Sequence, residues 1–420
     1  MSRDRLRTER FADRSADHTA DALTPAERDV VVACLTSDEP APYNVPVHLV
    51  FDEHVDTERL RAAVERVLGA SRVLARTYVR DGGLLRRGPD ATPVVEVLSV
   101  ASGDLDDLVA ARRIGVLDAS LVRAVVVRVT DRDETRVFLN VHHALVDGMS
   151  LTLVLRAIVE SYLTGRAPSF DERPRGAAPG GPAVLFPEGV LTANVPEPRI
   201  ESFFTGVRHL CDPRVGTGVA TVTLDVPWTP TFSASLGAVV PALGLWSDSD
   251  AVVVSVGLVG RTSADRWALG NFVRLEPLVF ELGHWLSLSP PEVSRGLSAL
   301  GAALALRATG PRDGDPTSRH RMTRLGVVFD YKRESLVPTS VHPGLATRVV
   351  EDATYVDPKY AVHISVDQTG SRQQVTVTAP GMADSTLRRL VQAYSDQLLY
   401  GPFRAAVEPR SLPLPASVPA

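Results

Sequence analysis

The chain has almost no lysine. Of the 45 Lys and Arg residues in 420, lysine stands only at Lys332 and Lys359. Chemistry that needs a lysine has little to work with. Neither lysine follows a glycine, which excludes a phosphate-binding loop ending in Gly-Lys. Cysteine is as scarce: Cys34 and Cys211 are too few and too far apart for a disulfide framework or a cysteine metal cluster, and they read as reduced thiols. No apolar run approaches the ~18 residues of a membrane span. Residues 1–22 are rich in Arg and Asp with no apolar stretch, which does not fit a secretory signal, so they are read as a disordered lead-in to a cytoplasmic protein. A formal net charge of −5 gives no general attraction for nucleic acid. A Gly-x-Ser-x-Gly elbow, a His-Glu-x-x-His zinc pattern and a Gly-x-Gly-x-x-Gly loop are also absent; Gly216-Thr217-Gly218 lacks the third glycine.

What is present suits a folded chain of two domains or two halves, with hydrophobic residues at 44% and charged residues at 23%. Thr24-Pro25-Ala26-Glu27 is a capping box with proline at the first helical position. Val45, Val47, Leu49 and Phe51 alternate as in a strand, and Leu60, Val64, Val67 and Leu68 fall at helical spacing. Strands are expected near Leu74–Val79 and Val94–Val97. Residues 121–129 and 136–141 are β-branched runs around a polar turn, Asp131 to Glu134, so an antiparallel hairpin is expected. A helix follows from Asp147 to Leu163. From Gly165 to about Pro198 the chain is crowded with Pro, Gly and Ala and loses periodicity. This divides the chain into an N-terminal half (23–164), a connection (165–198) and a C-terminal half (199–420). In the last of these, strands are expected at Val219–Val226, Ala251–Leu258, Phe272–Leu282, Arg324–Asp330, Ala361–Val366 and Gln374–Thr378. Helices are expected near Ile200 and over Phe232–Leu243, Ser294–Arg307 and Ser385–Leu399, with a Pro-rich tail after Pro402.

One stretch carries chemistry. Val141-His142-His143-Ala144-Leu145-Val146-Asp147-Gly148 leaves a strand and enters a helix. Neighbouring strand residues point to opposite faces, so one histidine faces a cavity while the other packs inward. An exposed imidazole there suits a general base toward an alcohol, amine or thiol. Diverging histidines do not converge on a metal, and no metal site is expected.

His142-His143-Ala144-Leu145-Val146-Asp147-Gly148 resembles the signature of the chloramphenicol-acetyltransferase-like superfamily. Its members include condensation domains, BAHD acyltransferases and polyketide-associated acyltransferases. Tyr43-Asn44-Val45-Pro46, Val256-Gly257-Leu258-Val259-Gly260-Arg261, Leu269-Gly270-Asn271-Phe272-Val273-Arg274 and the region from Gly381 to Leu399 resemble further family segments in the same order. The resemblance implies an α/β (α+β sandwich) fold of two chloramphenicol-acetyltransferase-like halves, a V-shaped pseudo-dimer with a tunnel between them. It implies an acyl thioester donor, on coenzyme A or on a carrier protein's phosphopantetheine, and a hydroxyl or amine acceptor. No permanently bound cofactor is implied. His143 would act as the general base, with His142, Asp147 and Gly148 as support. Asp147 would pair with an arginine of the second half, Arg261 or its rival Arg333. The oxyanion-stabilising group is unassigned, with the Gly148 amide as candidate.

The chain departs from the family in places. Ser71-Arg72-Val73-Leu74-Ala75-Arg76-Thr77 is a reduced form of the Arg-His element of condensation domains. Arg274 and Leu275 replace an Asn-Thr pair. Phe329-Asp330-Tyr331-Lys332-Arg333 stands where BAHD enzymes carry Asp-Phe-Gly-Trp-Gly. A phosphopantetheine attachment motif is absent, so the expectation is a free-standing, monomeric acyltransferase acting in trans in natural-product or lipid biosynthesis. Two alternatives share the scaffold: a non-catalytic module recruiting a carrier protein, and epimerisation or cyclisation of a carrier-bound substrate.

Overall fold

The computed structural model describes residues 23–36, 43–53, 55–81, 84–171, 196–212, 214–261, 265, 267–309, 326–333, 345–351 and 359–401. The expected lead-in, most of the Pro/Gly-rich connection and the Pro-rich tail lie outside these residues. In chain order the first half contains α1 (Pro25–Thr36), β1 (Asn44–Phe51), α2 (Thr57–Gly69), α3 (Arg72–Ala75), β2 (Tyr78–Asp81), β3 (Leu84–Arg87), β4 (Val95–Val100), α4 (Leu105–Ala110), β5 (Val122–Val129), β6 (Glu134–His142) and α5 (Gly148–Thr164). The second half contains α6 (Glu197–His209), β7 (Thr217–Asp225), α7 (Phe232–Ser247), β8 (Ala251–Val259), β9 (Val273–Glu281), α8 (Leu282–Ser287), α9 (Pro290–Thr309), β10 (Val327–Arg333), β11 (Thr347–Glu351), β12 (Val362–Thr369), β13 (Arg372–Pro380) and α10 (Asp384–Tyr400).

Among the described residues these strands form two mixed sheets and a small hairpin, β2–β3. The first sheet runs β11-β1-β6-β5-β4 and the second β7-β13-β12-β10-β8-β9. β5 shows why the first sheet reads as an unbroken apolar run. Val122, Ala124 and Val126 enter the core beneath α2 and α5. Val125, Val127 and Val129 pack with Leu105, Leu108 and Val109 of α4 on the other face. A strand covered on both faces loses its polar alternation. The second sheet is covered differently. Its core joins Phe329, Ile364, Val256 and Val375 to residues of α6, α7, α9 and α10. The opposite face carries Gly257, Asp330, His363 and Ser365, and the last three are partly exposed or polar-lined.

Three local expectations need correction. Leu74 is not in a strand: the Ser71 hydroxyl accepts from the Val73 and Leu74 amides at 3.1 and 3.4 Å and starts the single turn of α3. The strand begins only at Tyr78. Glu134 is not a turn residue but opens β6 opposite Val129. Arg136 and Arg348 hold its buried carboxylate there. The third concerns Thr347–Glu351, for which no strand was expected. It crosses from the second half and pairs antiparallel with β1 through Val47↔Glu351 to Phe51↔Thr347. The first sheet is thus completed by the second half.

The capping box forms as spelled. The Thr24 amide donates to Glu27 Oε2 at 2.6 Å, and the Glu27 amide to Thr24 Oγ1 at 3.2 Å. Glu27 is only 2% exposed and also accepts from Arg76 Nη1 and Arg87 Nη2, each at 2.9 Å. One carboxylate therefore ties α1 to the segment after α3 and to β3. Replacing it removes the buried carboxylate that both guanidinium groups share. Glu27→Ala is expected to lower unfolding free energy by about 3–5 kcal/mol in a denaturant titration. Glu27→Gln, which keeps the cap, should lose less.

Candidate active site

β6 ends at His142, and the chain turns through Ala144–Val146 into α5. The two histidines part there. His142 is 1% exposed. Its Nδ1 accepts from the Ala144 amide at 3.2 Å, which leaves the proton on Nε2, 3.5 Å from Cys34 Sγ. Burial, reinforced by the charges of His143 and Lys359, pulls its pKa down to about 3. Burial pushes the Cys34 thiol up to about 12, so the two are a neutral, inward-packed pair.

His143 is partly exposed. Its amide donates to the Tyr43 carbonyl at 2.8 Å, and its ring packs edge-on to Tyr43 at 6.4 Å between centroids. Nδ1 lies 2.8 Å from the Val146 carbonyl. A carbonyl can only accept, so Nδ1 carries the proton and Nε2 keeps its lone pair. Burial, then the Lys359 charge, lower the pKa to about 4, against the opposing pull of its hydrogen bonds and of Asp147. The ring is therefore neutral at neutral pH. The start of β1 is braced beneath it. Asn44 Nδ2 donates to the Ile114 carbonyl, and Asn44 Oδ1 accepts from the Ile114 amide and from Asn140 Nδ2, all at 2.7–2.8 Å.

Asp147 turns away from His143 and caps α5, accepting from the Ser150 amide at 2.8 Å. Arg261, from the loop after β8, meets it with two nitrogens: Nη2 on Oδ1 at 2.8 Å and Nε on Oδ2 at 3.0 Å. The Phe272 amide donates to Oδ2 at 3.3 Å. Arg261 Nη1 donates to the Asp265 and Ala268 carbonyls, and the guanidinium stacks 4.1 Å from the Phe272 ring centroid. The two side chains are 7% and 2% exposed. Ser150 completes the joint. Its hydroxyl donates to the Gly270 carbonyl at 2.7 Å and accepts from the Gly270 amide at 3.0 Å and from Arg261 Nη2 at 2.6 Å. The structure thus brings Asp147 and Arg261 together. Arg333 closes β10, and its side chain is outside what the structure describes. Gly148 is the first residue of α5, where an amide has no partner within the helix. Among the described residues, no cluster of His, Cys, Asp and Glu has the arrangement of a metal site.

Ser150, Asn44 and Asn140 were not singled out for any role in the sequence reading. Neither were Lys359, Tyr360, Asp330 and His363. Lys359 Nζ lies 5.3 Å from the Tyr43 ring centroid. Tyr360 hydrogen-bonds Tyr43, and its ring lies 5.7 Å from that of His363. His363 Nε2 lies 2.7 Å from Asp330 Oδ2. A continuous set of side chains therefore connects His143 to Asp330 and His363 on the face of the second sheet opposite its helical core.

The Asp147–Arg261 pair is buried and fully hydrogen-bonded, so removing either partner strands the other. Asp147→Ala and Arg261→Ala are each expected to cost about 3–5 kcal/mol of stability. The double variant should cost clearly less than their sum, and a double-mutant cycle on unfolding free energies checks this.

No family model matches the sequence, and no curated protein matches it. Solved structures do. The X-domain from teicoplanin biosynthesis superposes with a TM-score of 0.65 at 16% identity, over 92% of this chain and 97% of that one. The starter condensation domain of rhizomide synthetase RzmA gives 0.62 at 15%, over 90% and 96%. A variant of that rhizomide domain is solved in complex with C8-CoA and Leu-SNAC. The epimerization domain from the third module of tyrocidine synthetase B gives 0.60 at 14%, over 93% and 99%. Among the described residues, no helix is long and apolar enough to cross a membrane. Two mixed sheets, each with its own helical core and covering nearly the full length of these structures, give this chain the α/β fold of the condensation-type domains.

Proposed function

We propose that this chain transfers an acyl group from a thioester, carried on coenzyme A or on a carrier protein's phosphopantetheine, to a hydroxyl or amine. His143 is the general base in this reading. The observation that carries it is the Nδ1–H···O=C bond to Val146, which leaves a lone pair on Nε2 of a partly exposed ring. His142, sealed against Cys34, is not available for the same task.

In the reaction Nε2 accepts the proton of the acceptor's X–H as X attacks the thioester carbonyl. The tetrahedral intermediate collapses as the C–S bond breaks, and the imidazolium returns the proton to the leaving sulfur. The products are the ester or amide and the free thiol, with no acyl-enzyme. The Gly148 amide, at the positive end of α5, is the candidate donor to the oxyanion. Asp147 and Arg261 act at one remove, holding the turn between His143 and α5. The complex of the rhizomide relative with C8-CoA and Leu-SNAC supports thioesters as substrates. The epimerization-domain neighbour shares the fold, and the same base acting at a carbon centre would give racemised substrate in place of product.

The test is a panel of acyl-CoA and acyl-N-acetylcysteamine thioesters offered with amine and alcohol acceptors to the purified chain, with products read by mass spectrometry. His143→Ala is expected to reduce transfer by about 10²–10⁴-fold without lowering the melting temperature. Transfer at the wild-type rate in that variant overturns the reading. A base with its pKa depressed to about 4 is deprotonated above that value. So with a hydroxyl acceptor kcat/KM should fall only as pH drops through about 4 and stay level from there to neutrality. A limb near 6.5 would show that the imidazole is not so desolvated.

A further inference from the structure

Lys359 is one of two lysines in the chain, and it sits on the tyrosine that adjoins His143. Among the described residues no side chain forms an ion pair with it, and its close contact is the face of the Tyr43 ring. Asp330 is the acid that acts on it at longer range, and Asp330 is already engaged. One carboxylate oxygen of Asp330 bonds His363 Nε2. The other lies 2.5 Å from where a Cβ on Gly257 would stand, so the missing side chain at Gly257 makes its room. Burial, against the opposing pull of Asp330, lowers the Lys359 pKa to about 8, as expected of a cation short of counter-charge.

A cation so placed, one aromatic ring from the proposed base, is suited to a substrate anion. We infer that Lys359 binds a free carboxylate of the substrate, beside the atom that His143 deprotonates. The class of substrate is then an amino or hydroxy acid acceptor with its carboxylate unesterified, or an acyl group that ends in a carboxylate. The phosphates of a pantetheine arm lie at the far end of that arm from the reacting sulfur and do not suit a cation this close to the base. Tyr43 gives the ammonium a π face, while Tyr360 hydrogen-bonds Tyr43 and braces that ring from the second half. A bound carboxylate would also cancel the positive charge that depresses His143, so the right substrate would strengthen its own base.

This inference rests on the transfer reading, and the test separates the two. Wild type, Lys359→Gln and Lys359→Arg are assayed with free amino and hydroxy acids against their methyl esters as acceptors, and with succinyl against butyryl thioesters as donors. Equilibrium binding of the same acids and esters is measured by calorimetry. The ratio of kcat/KM for acid over ester, or for succinyl over butyryl, is expected to fall about ten- to a hundredfold in Lys359→Gln, chiefly through KM, and to recover in Lys359→Arg. Whichever ratio moves identifies the source of the carboxylate. Transfer in which neither ratio responds to Lys359→Gln overturns this inference and leaves the function standing. Lys359-dependent binding of acids over esters without transfer overturns the function and supports the carboxylate site. Neither binding nor transfer overturns both. Unfolding curves of the variants check the fold. Removing a desolvated cation should leave the melting temperature unchanged or higher, so a misfolded variant is not expected.

Discussion

Four hydrogen bonds converge on the Asp147 carboxylate, from the Ser150 amide, two nitrogens of Arg261 and the Phe272 amide. The start of α5 in the first half and the β8–β9 connection of the second meet there. A carboxylate out of water is costly unless its lone pairs are all engaged. Here they are, and the arginine is in turn held by two carbonyls and an aromatic face. The joint therefore has one low-energy arrangement and fixes the start of α5. His143 lies four residues back along the same turn, and its ring is locked by a carbonyl within that turn. The position of the proposed base is tied to a charge pair at the start of the helix that follows it.

The same turn sorts the two histidines. On a strand they alternate, and β6 ends at the first of them, so His142 keeps the inward direction and His143 begins the exit. Burial then does opposite things with similar chemistry. It neutralises His142 against a thiol, where it serves packing. It also neutralises His143, but with the free lone pair on the open side. In the proposed role, desolvation would make His143 a base that is unprotonated at neutral pH and correspondingly weak. Its rate then depends on how the bound substrate changes the field around it.

Much of this was legible in the residues. Thr24-Pro25-Ala26-Glu27 spells its own cap, and β5 and β6 announce a hairpin through β-branched runs. The His-His-x-x-x-Asp-Gly stretch marks a strand end and a helix start, because each of these is a local event. What was not legible was non-local. Thr347–Glu351, a short segment with Thr347, Val349 and Val350 β-branched, was not expected as a strand, and its partner β1 lies about 300 residues away in sequence. Glu134 reads as turn until Arg348, 214 residues on, gives its charge a partner. Ser71 and Ser150 carry no signal that separates a capping or joint-forming serine from a surface one. The resemblance offers Arg261 or Arg333 as the arginine facing Asp147, and only the folded chain brings Arg261 to it.

Lys359 is the clearest case of composition pointing away from a proposed site. A chain with 43 arginines and two lysines gives no reason to look for lysine at the centre. Yet scarcity has a physical reading once the place is known. Arginine keeps its charge in any environment and seeks flat, bidentate partners, as Arg261 does with Asp147. An ammonium is a compact charge on a flexible stem, able to rest on a ring face and turn to a ligand that arrives. The chain uses guanidinium groups where a pairing must be permanent, at Asp147, Glu27 and Glu134. On the tyrosine that adjoins His143, where no described acid is in contact, it uses a lysine. That division of labour is what a pairing completed only by the substrate would require.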